Sequence, residues 1–114
     1  MKDKFESDLL RGSLDLMVLS VLADESLYGY LIQQRLQKVS FNRIQLPAGT
    51  LYPLLHRLES DKLIVGRVDS SSGRRRKWYD LTAKGKKRLF AQAKQWREYA
   101  NCMDTLIGSF APAG

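Results

Sequence analysis

The sequence predicts a mainly α fold with a small β-hairpin: three helices, a hairpin with a cationic tip, and one long last helix. Three observations predict it. Residues 73–82 read Gly73-Arg74-Arg75-Arg76-Lys77-Trp78-Tyr79-Asp80-Leu81-Thr82, four consecutive cations opening a strand behind a Ser-Ser-Ser-Gly turn. Upstream, Leu63-Ile64-Val65-Gly66-Arg67-Val68 is a second short apolar run, and two such runs around a Ser/Gly turn make a hairpin. Downstream, Leu89, Ala93, Trp96, Ala100, Met103, Ile107 and Phe110 step by 4, 3, 4, 3, 4, 3, a heptad seam. Helices ahead of a basic hairpin and a long helix behind it make a winged helix-turn-helix with a C-terminal dimerisation helix.

The first helix is expected over residues 7–23, with Ser7 as N-cap. Leu9, Leu10, Leu14, Leu16, Met17, Val18, Leu19, Val21 and Leu22 cover more than one of its faces, so it must bury against two things. Asp24-Glu25-Ser26 breaks the pattern. Tyr28, Leu31, Ile32, Arg35, Leu36 and Val39 then give helical spacing over residues 27–39. Ile44-Gln45-Leu46 reads as a short edge strand joining the hairpin.

Pro47 opens the third helix, whose Leu51, Leu54, Leu55 and Leu58 share one face. Its other side carries Ala48, Gly49, Thr50, Tyr52, Pro53, His56 and Arg57. Pro53 is tolerable if the helix starts near Gly49 or Thr50, because first-turn N–H groups have no intrahelical acceptor to lose. Thr82 caps the last helix, residues 83–108, a rod of about 38 Å. Such a rod with an apolar stripe is expected to pack across a two-fold axis, with Leu9, Leu10 and Leu14 of the first helix joining the seam. Residues 1–82 form the winged domain, 83–110 the dimerisation helix and 111–114 a flexible tail.

The 114 residues carry a net charge of +7. Residues 62–77 hold six cations and one anion, so a polyanion is the favoured partner. No apolar run approaches a membrane span, and the N-terminus lacks the apolar stretch of a secretory signal. The lone Cys102 fits a reducing compartment, and a cytoplasmic protein is expected. One His and one Cys are too few for a metal site within one chain. No phosphate-cradling glycine loop or nucleophile elbow is present, so neither enzyme activity nor a cofactor is expected.

Gly12-Ser13-Leu14-Asp15-Leu16, Tyr28-Gly29-Tyr30, Gly49-Thr50-Leu51-Tyr52-Pro53 and Gly73-Arg74-Arg75-Arg76-Lys77 through Leu81-Thr82 together resemble the PadR family of bacterial transcriptional regulators, in order and over almost the whole chain. The single last helix is similar to that of the smaller PadR subfamily. The resemblance implies a cytoplasmic homodimer that represses nearby genes from a pseudo-palindromic double-stranded DNA operator. It implies DNA contacts at Tyr28, Ala48, Gly49, Thr50, Tyr52, Pro53, His56 and Arg57, and at the wing residues Gly73, Arg74, Arg75, Arg76 and Lys77. Tyr28 stands where His is common, and its side chain serves either DNA or packing. Lys62 stands where Gly often follows the third helix. In small family members a tryptophan at the position of Trp96 lines a cavity at the dimer centre. That implies a slot for a small aromatic ligand, walled by Leu14, Met17, Val18 and Trp96, against the simpler reading of Trp96 as packing. The rival to a DNA-binding repressor is a winged-helix module that binds protein. Acids along the third helix would favour it, and residues 47–58 contain none.

Overall fold

The computed structural model describes residues 4–6, 10–108 and 110. Ser7, Leu9 and residues 111–114, to which an N-cap, an interface position and a tail were assigned, lie outside the described residues. The described chain is a winged helix-turn-helix with a long C-terminal helix, as the sequence predicts.

Helix α1, Leu14–Leu22, follows a single 3-10 turn, Arg11–Ser13, and Leu10 ahead of that turn is also helical; the expected start at residue 7 lies outside the described residues. Ser13 interrupts the regular helix: its backbone leaves the helical region (φ −125°, ψ 15°), and its hydroxyl donates back to the Leu10 carbonyl at 3.2 Å. As the two-sided pattern requires, α1 buries Val18, Leu19, Val21 and Leu22.

Residues 27 and 28 are not helical. They form strand β1, Leu27–Tyr28, and helix α2 spans Gly29–Val39. The wing hairpin comprises β2, Ile64–Asp69, and β3, Arg76–Leu81, and β1 pairs with the free side of β3 through Leu27↔Tyr79 and Tyr28↔Trp78. The third strand is therefore β1, and the order is β1-β3-β2, all antiparallel. Ile44-Gln45-Leu46 is not a strand. Side chains satisfy it instead: Ser40 Oγ accepts from the Ile44 amide at 2.8 Å, and Gln33 Nε2 donates to the Leu46 carbonyl at 2.8 Å.

Helix α3, Ala48–Ser60, buries Leu51, Leu54, Leu55 and Leu58. Pro47 is its N-cap, and its carbonyl accepts from Thr50 and Leu51. Pro53 is thus the sixth helical residue, past the first turn, and the first-turn explanation fails. Its ring removes the donor that the Gly49 carbonyl would receive, and Gly49 is exposed, so that carbonyl is not stranded in the core. The helix ends in a Schellman motif: Leu63 N–H donates to Leu58 and Lys62 N–H to Glu59, both at 3.0 Å. Lys62 occupies the left-handed position at φ 63°.

Helix α4, Ala83–Gly108, is capped by Thr82, whose hydroxyl accepts from the Gly85 amide at 2.9 Å. Only Gly85 of this helix is buried. Its first half packs on α1 and β3, and the rest projects, giving extents of 55 × 33 × 22 Å. Three positions assigned to a dimer contact pack at home instead. Leu10 is buried in the chain's own core, and Leu14 and Leu89 rest against that core. Trp96, Ile107 and Phe110 remain exposed, and Ala93, Ala100 and Met103 half-buried.

Candidate nucleic-acid interface

The apolar face of α3 is fixed in the core, so its other face is presented outward. Ala48, Gly49, Thr50, Tyr52, Pro53, His56 and Arg57 are all exposed. Tyr52 lies across the first residue of α2: a Cβ at Gly29 would sit 2.3 Å from the Tyr52 hydroxyl oxygen. Glycine is required there by close approach. The phenol consequently stands at the junction of α2, α3 and the wing.

At the wing, Gly73 takes φ 81°, which closes the tight turn. Arg74 and Arg75 are exposed and enter no ion pair among the described residues. Arg76 is held lower, its guanidinium carbon 4.7 Å from the centre of the Tyr28 ring. Tyr28 meets Trp78 edge-on at 4.9 Å and 81°. Tyr28 therefore packs, as the platform that carries Arg76. Tyr28, Gly29, Tyr30, Tyr52 and residues 74–77 surround an open cleft of about 600 Å³ between the wing and the helices. It is cationic on one side and phenolic on the other.

Two cations assigned to DNA are engaged within the chain. Lys77 Nζ lies 2.7 Å from Glu59 Oε1, and Glu59 Oε2 accepts from the Gly66 amide at 3.1 Å. This ties the end of α3 to both wing strands. The Lys77 hydrogen bond is the main cause holding the Glu59 carboxyl below its ordinary value, and Glu59 in turn raises Lys77. Arg57 donates to Asp15 on α1 through Nη2 at 2.6 Å and Nη1 at 3.3 Å. That bidentate bond raises the guanidinium further above its ordinary value. Behind the sheet, Asp80 accepts from Ser26 and from Arg67, which lowers its carboxyl. Burial pushes the Tyr79 phenol up.

Asp15 and Glu59 were not assigned a role from sequence. For Asp15 a signal existed: it is the sole charged residue from position 12 to 23. A lone acid in an apolar helix needs a partner.

A second, larger groove of about 860 Å³ lies between Phe5, the turn preceding α1, α1 itself and α4. Leu10, Leu16, Met17, Gln92, Trp96 and Tyr99 are on its walls. Of the residues assigned to an effector slot, Met17 and Trp96 are there. Leu14 is not, and Val18 is fully buried in the core, because it faces α1's opposite side. Gln92 Oε1 is buried without a hydrogen-bond partner among the described residues.

Among the described residues no cluster of His, Cys, Asp and Glu could hold a metal, and no helix is long and apolar enough to cross a membrane. An outward third helix flanked by a cationic hairpin defines a winged-helix regulator. Residues 18–91 match the model of the transcriptional regulator PadR-like family. The chain belongs to that family. It is 33% identical over 104 residues to the transcriptional regulator Rv3488 of Mycobacterium tuberculosis, covering 91% of this chain and 92% of that one. An uncharacterized protein of Lysinibacillus sphaericus is 35% identical over 102 residues, 89% of this chain and 94% of its own. The crystal structure of a PadR family transcriptional regulator from Eggerthella lenta superposes with a TM-score of 0.78 at 35% identity, covering 88% of this chain and 86% of that chain.

Proposed function

We propose that this PadR-family regulator is a sequence-specific DNA-binding repressor. It works as a homodimer on a pseudo-palindromic operator, and it blocks the promoter by occupying it. The observation that carries this reading is the cleft where Tyr52, from the outward face of α3, stands opposite Arg74 and Arg75, which enter no ion pair among the described residues. In this reading α3 enters the major groove, with Thr50 and His56 toward base edges and Tyr52 toward a phosphate. Arg74 and Arg75 pair with backbone phosphates, where a guanidinium binds in a bidentate way. Arg76 and Lys77 hold the wing at its angle. The two-fold partner packs on α4 through Trp96, Met103 and Ile107.

The groove beside Trp96 supports a ligand-responsive release. Its aromatic and aliphatic walls suit a flat aromatic, and Gln92 Oε1 offers an acceptor to a ligand donor. A ligand shifts the regulator only by its differential affinity for the two arrangements. The test of operator binding is a footprint on the DNA upstream of the protein's own gene, with anisotropy titrations against a scrambled duplex. Equal affinity for both duplexes would defeat the reading and favour a protein-binding module. For the effector, Trp96 emission is followed in a Trp78→Phe variant during titration with planar aromatics. No quenching at about millimolar ligand would leave Trp96 a packing residue.

A further inference from the structure

Residues 83–97 of α4 hold six cations, Lys84, Lys86, Lys87, Arg88, Lys94 and Arg97, and no acid before Glu98. Lys84 is engaged by the Asp61 carbonyl at 2.9 Å. At about 100° per residue, Lys86, Lys87, Lys94 and Arg97 fall within an arc of about 100°, and Phe90 lies inside it. All five are exposed, Phe90 by 79%. None of the four cations forms an ion pair among the described residues. This arc faces away from Gly85, Leu89 and Gln92, through which α4 meets the rest of the domain. It lies beside the Trp96–Met103–Ile107 seam, whose Ala93 is about 20° round the helix from Lys86.

An aromatic ring encircled by charges has the layout of a small protein interface: an apolar centre that is dried on docking and a charged rim that selects the partner. Phosphate contacts use the cations alone and leave the Phe90 ring against a polar backbone. A lipid surface requires a broad apolar face, and here one ring stands alone. We propose that the outer face of α4, Phe90 within Lys86, Lys87, Lys94 and Arg97, docks a short acidic segment of another protein whose apolar residue covers Phe90. From Lys86 to Arg97 the stripe is about 16 Å long, enough for three turns of a partner helix. This inference is independent of how α3 and the wing are used.

The test uses the full chain and a labelled glutamate-rich peptide of about twelve residues with one central leucine. A matched peptide with serine in its place, a random duplex and phosphatidylglycerol vesicles are the comparison probes. The leucine peptide is expected to bind about fivefold more tightly than the serine peptide. Phe90→Ser should remove that difference and leave serine-peptide binding, DNA affinity and solution mass unchanged. Lys86→Glu with Lys94→Glu should weaken both peptides about tenfold. Thermal melts confirm folding, which an exposed substitution should preserve. Equal binding of the two peptides, or none at about millimolar concentration, overturns the proposal. So does a Phe90→Ser variant that loses DNA affinity, changes mass, or loses vesicle binding stronger than peptide binding. Those three results assign the face to nucleic acid, to a second copy or to lipid.

Discussion

Arg57 of α3 and Asp15 of α1 are joined by two hydrogen bonds across 42 residues of sequence. Asp15 is followed directly by Leu16 and Met17, which line the large groove. One acid thus connects the groove helix to the outward helix.

That pair fixes α3 more than it stabilises the fold. Arg57 is half exposed, so the coupling in a double-mutant cycle should stay below about 1 kcal/mol. Its removal should matter more for DNA. In Asp15→Asn the guanidinium is freed, and binding to random DNA should strengthen. The slope of log affinity against log salt should steepen by about 0.9 for each phosphate newly paired. An unchanged slope would show that Arg57 does not reach the backbone even when released.

The wing arginines should divide into two classes. Arg74→Ala and Arg75→Ala should each weaken binding to all duplexes alike and flatten the salt slope by about 0.9 for each phosphate left unpaired. Arg76→Ala should act through wing geometry, lowering discrimination more than it changes the slope. Tyr28→Ala should reproduce the Arg76 effect, because it removes the ring beneath the guanidinium. Anisotropy titrations at several salt concentrations separate the two classes.

Lys62→Gly should stabilise the protein. Lys62 sits at φ 63°, a conformation that costs a side-chain-bearing residue about 1 kcal/mol relative to glycine. A chemical denaturation midpoint that rises with unchanged m-value would report this. A drop would mean that the lysine side chain contributes more than its backbone costs.

The Glu59–Lys77 bond should make stability sensitive to acid. The folded-state value of Glu59 is depressed, so its contribution is present above the ordinary value of 4.5 and is lost as pH falls through the folded value. Lys77 is shifted the other way, so its contribution is complete below 10.5 and declines as pH rises above that. Both side chains are partly exposed, which limits the effect to about 0.2–1 kcal/mol. In Glu59→Gln the stability difference from the parent should be constant near neutrality and shrink below pH 4.5. A difference that does not change with pH would mean the carboxylate charge is not what stabilises the wing.

Assembly is tested on α4. Met103→Asp places an unpaired charge in the seam and should dissociate the proposed dimer. Light scattering at low micromolar concentration should then move from twice the chain mass toward 13.1 kDa. A parent protein already at 13.1 kDa would rule out the dimer.

The sequence made legible what repeats locally. The Leu51, Leu54, Leu55 and Leu58 spacing and the Ser-Ser-Ser-Gly turn each carry their own structure, and both stand where expected. Two-residue β1 was hidden because Leu27 and Tyr28 continue the apolar spacing of α2, and only β3 makes them a strand. Ile44 and Leu46 have strand composition, but the Ser40 and Gln33 side chains take up their backbone amide and carbonyl in place of a sheet edge. Arg57 and Lys77 looked available because their partners, Asp15 and Glu59, lie 42 and 18 residues away, and no local pattern records such a pairing. Val18 and Met17 are neighbours in sequence, yet a turn of about 100° sends one into the core and the other to the groove. The cationic face of α4 is not legible from the hairpin's charge excess, since its lysines are spread over three helical turns and meet only once the helix is wound.

Where α4 begins, the backbone is locked. Leu63, the residue that closes the end of α3, accepts at its carbonyl from the amide of Thr82 at 3.1 Å, and the Thr82 hydroxyl is shared between the carbonyls of Lys62 and Leu63 at 2.7 and 3.0 Å. Gly85 passes so close that a methyl group there would lie 2.0 Å from the Leu63 oxygen. A rod clamped this firmly at its root behaves as a lever arm. Over roughly 39 Å, a tilt of about 5° at the root carries the tip through roughly 3 Å. The relation also runs backwards: a push of a few ångströms at the tip arrives at Leu63 as a small rotation of the whole winged body, with no slack joint in between to absorb it.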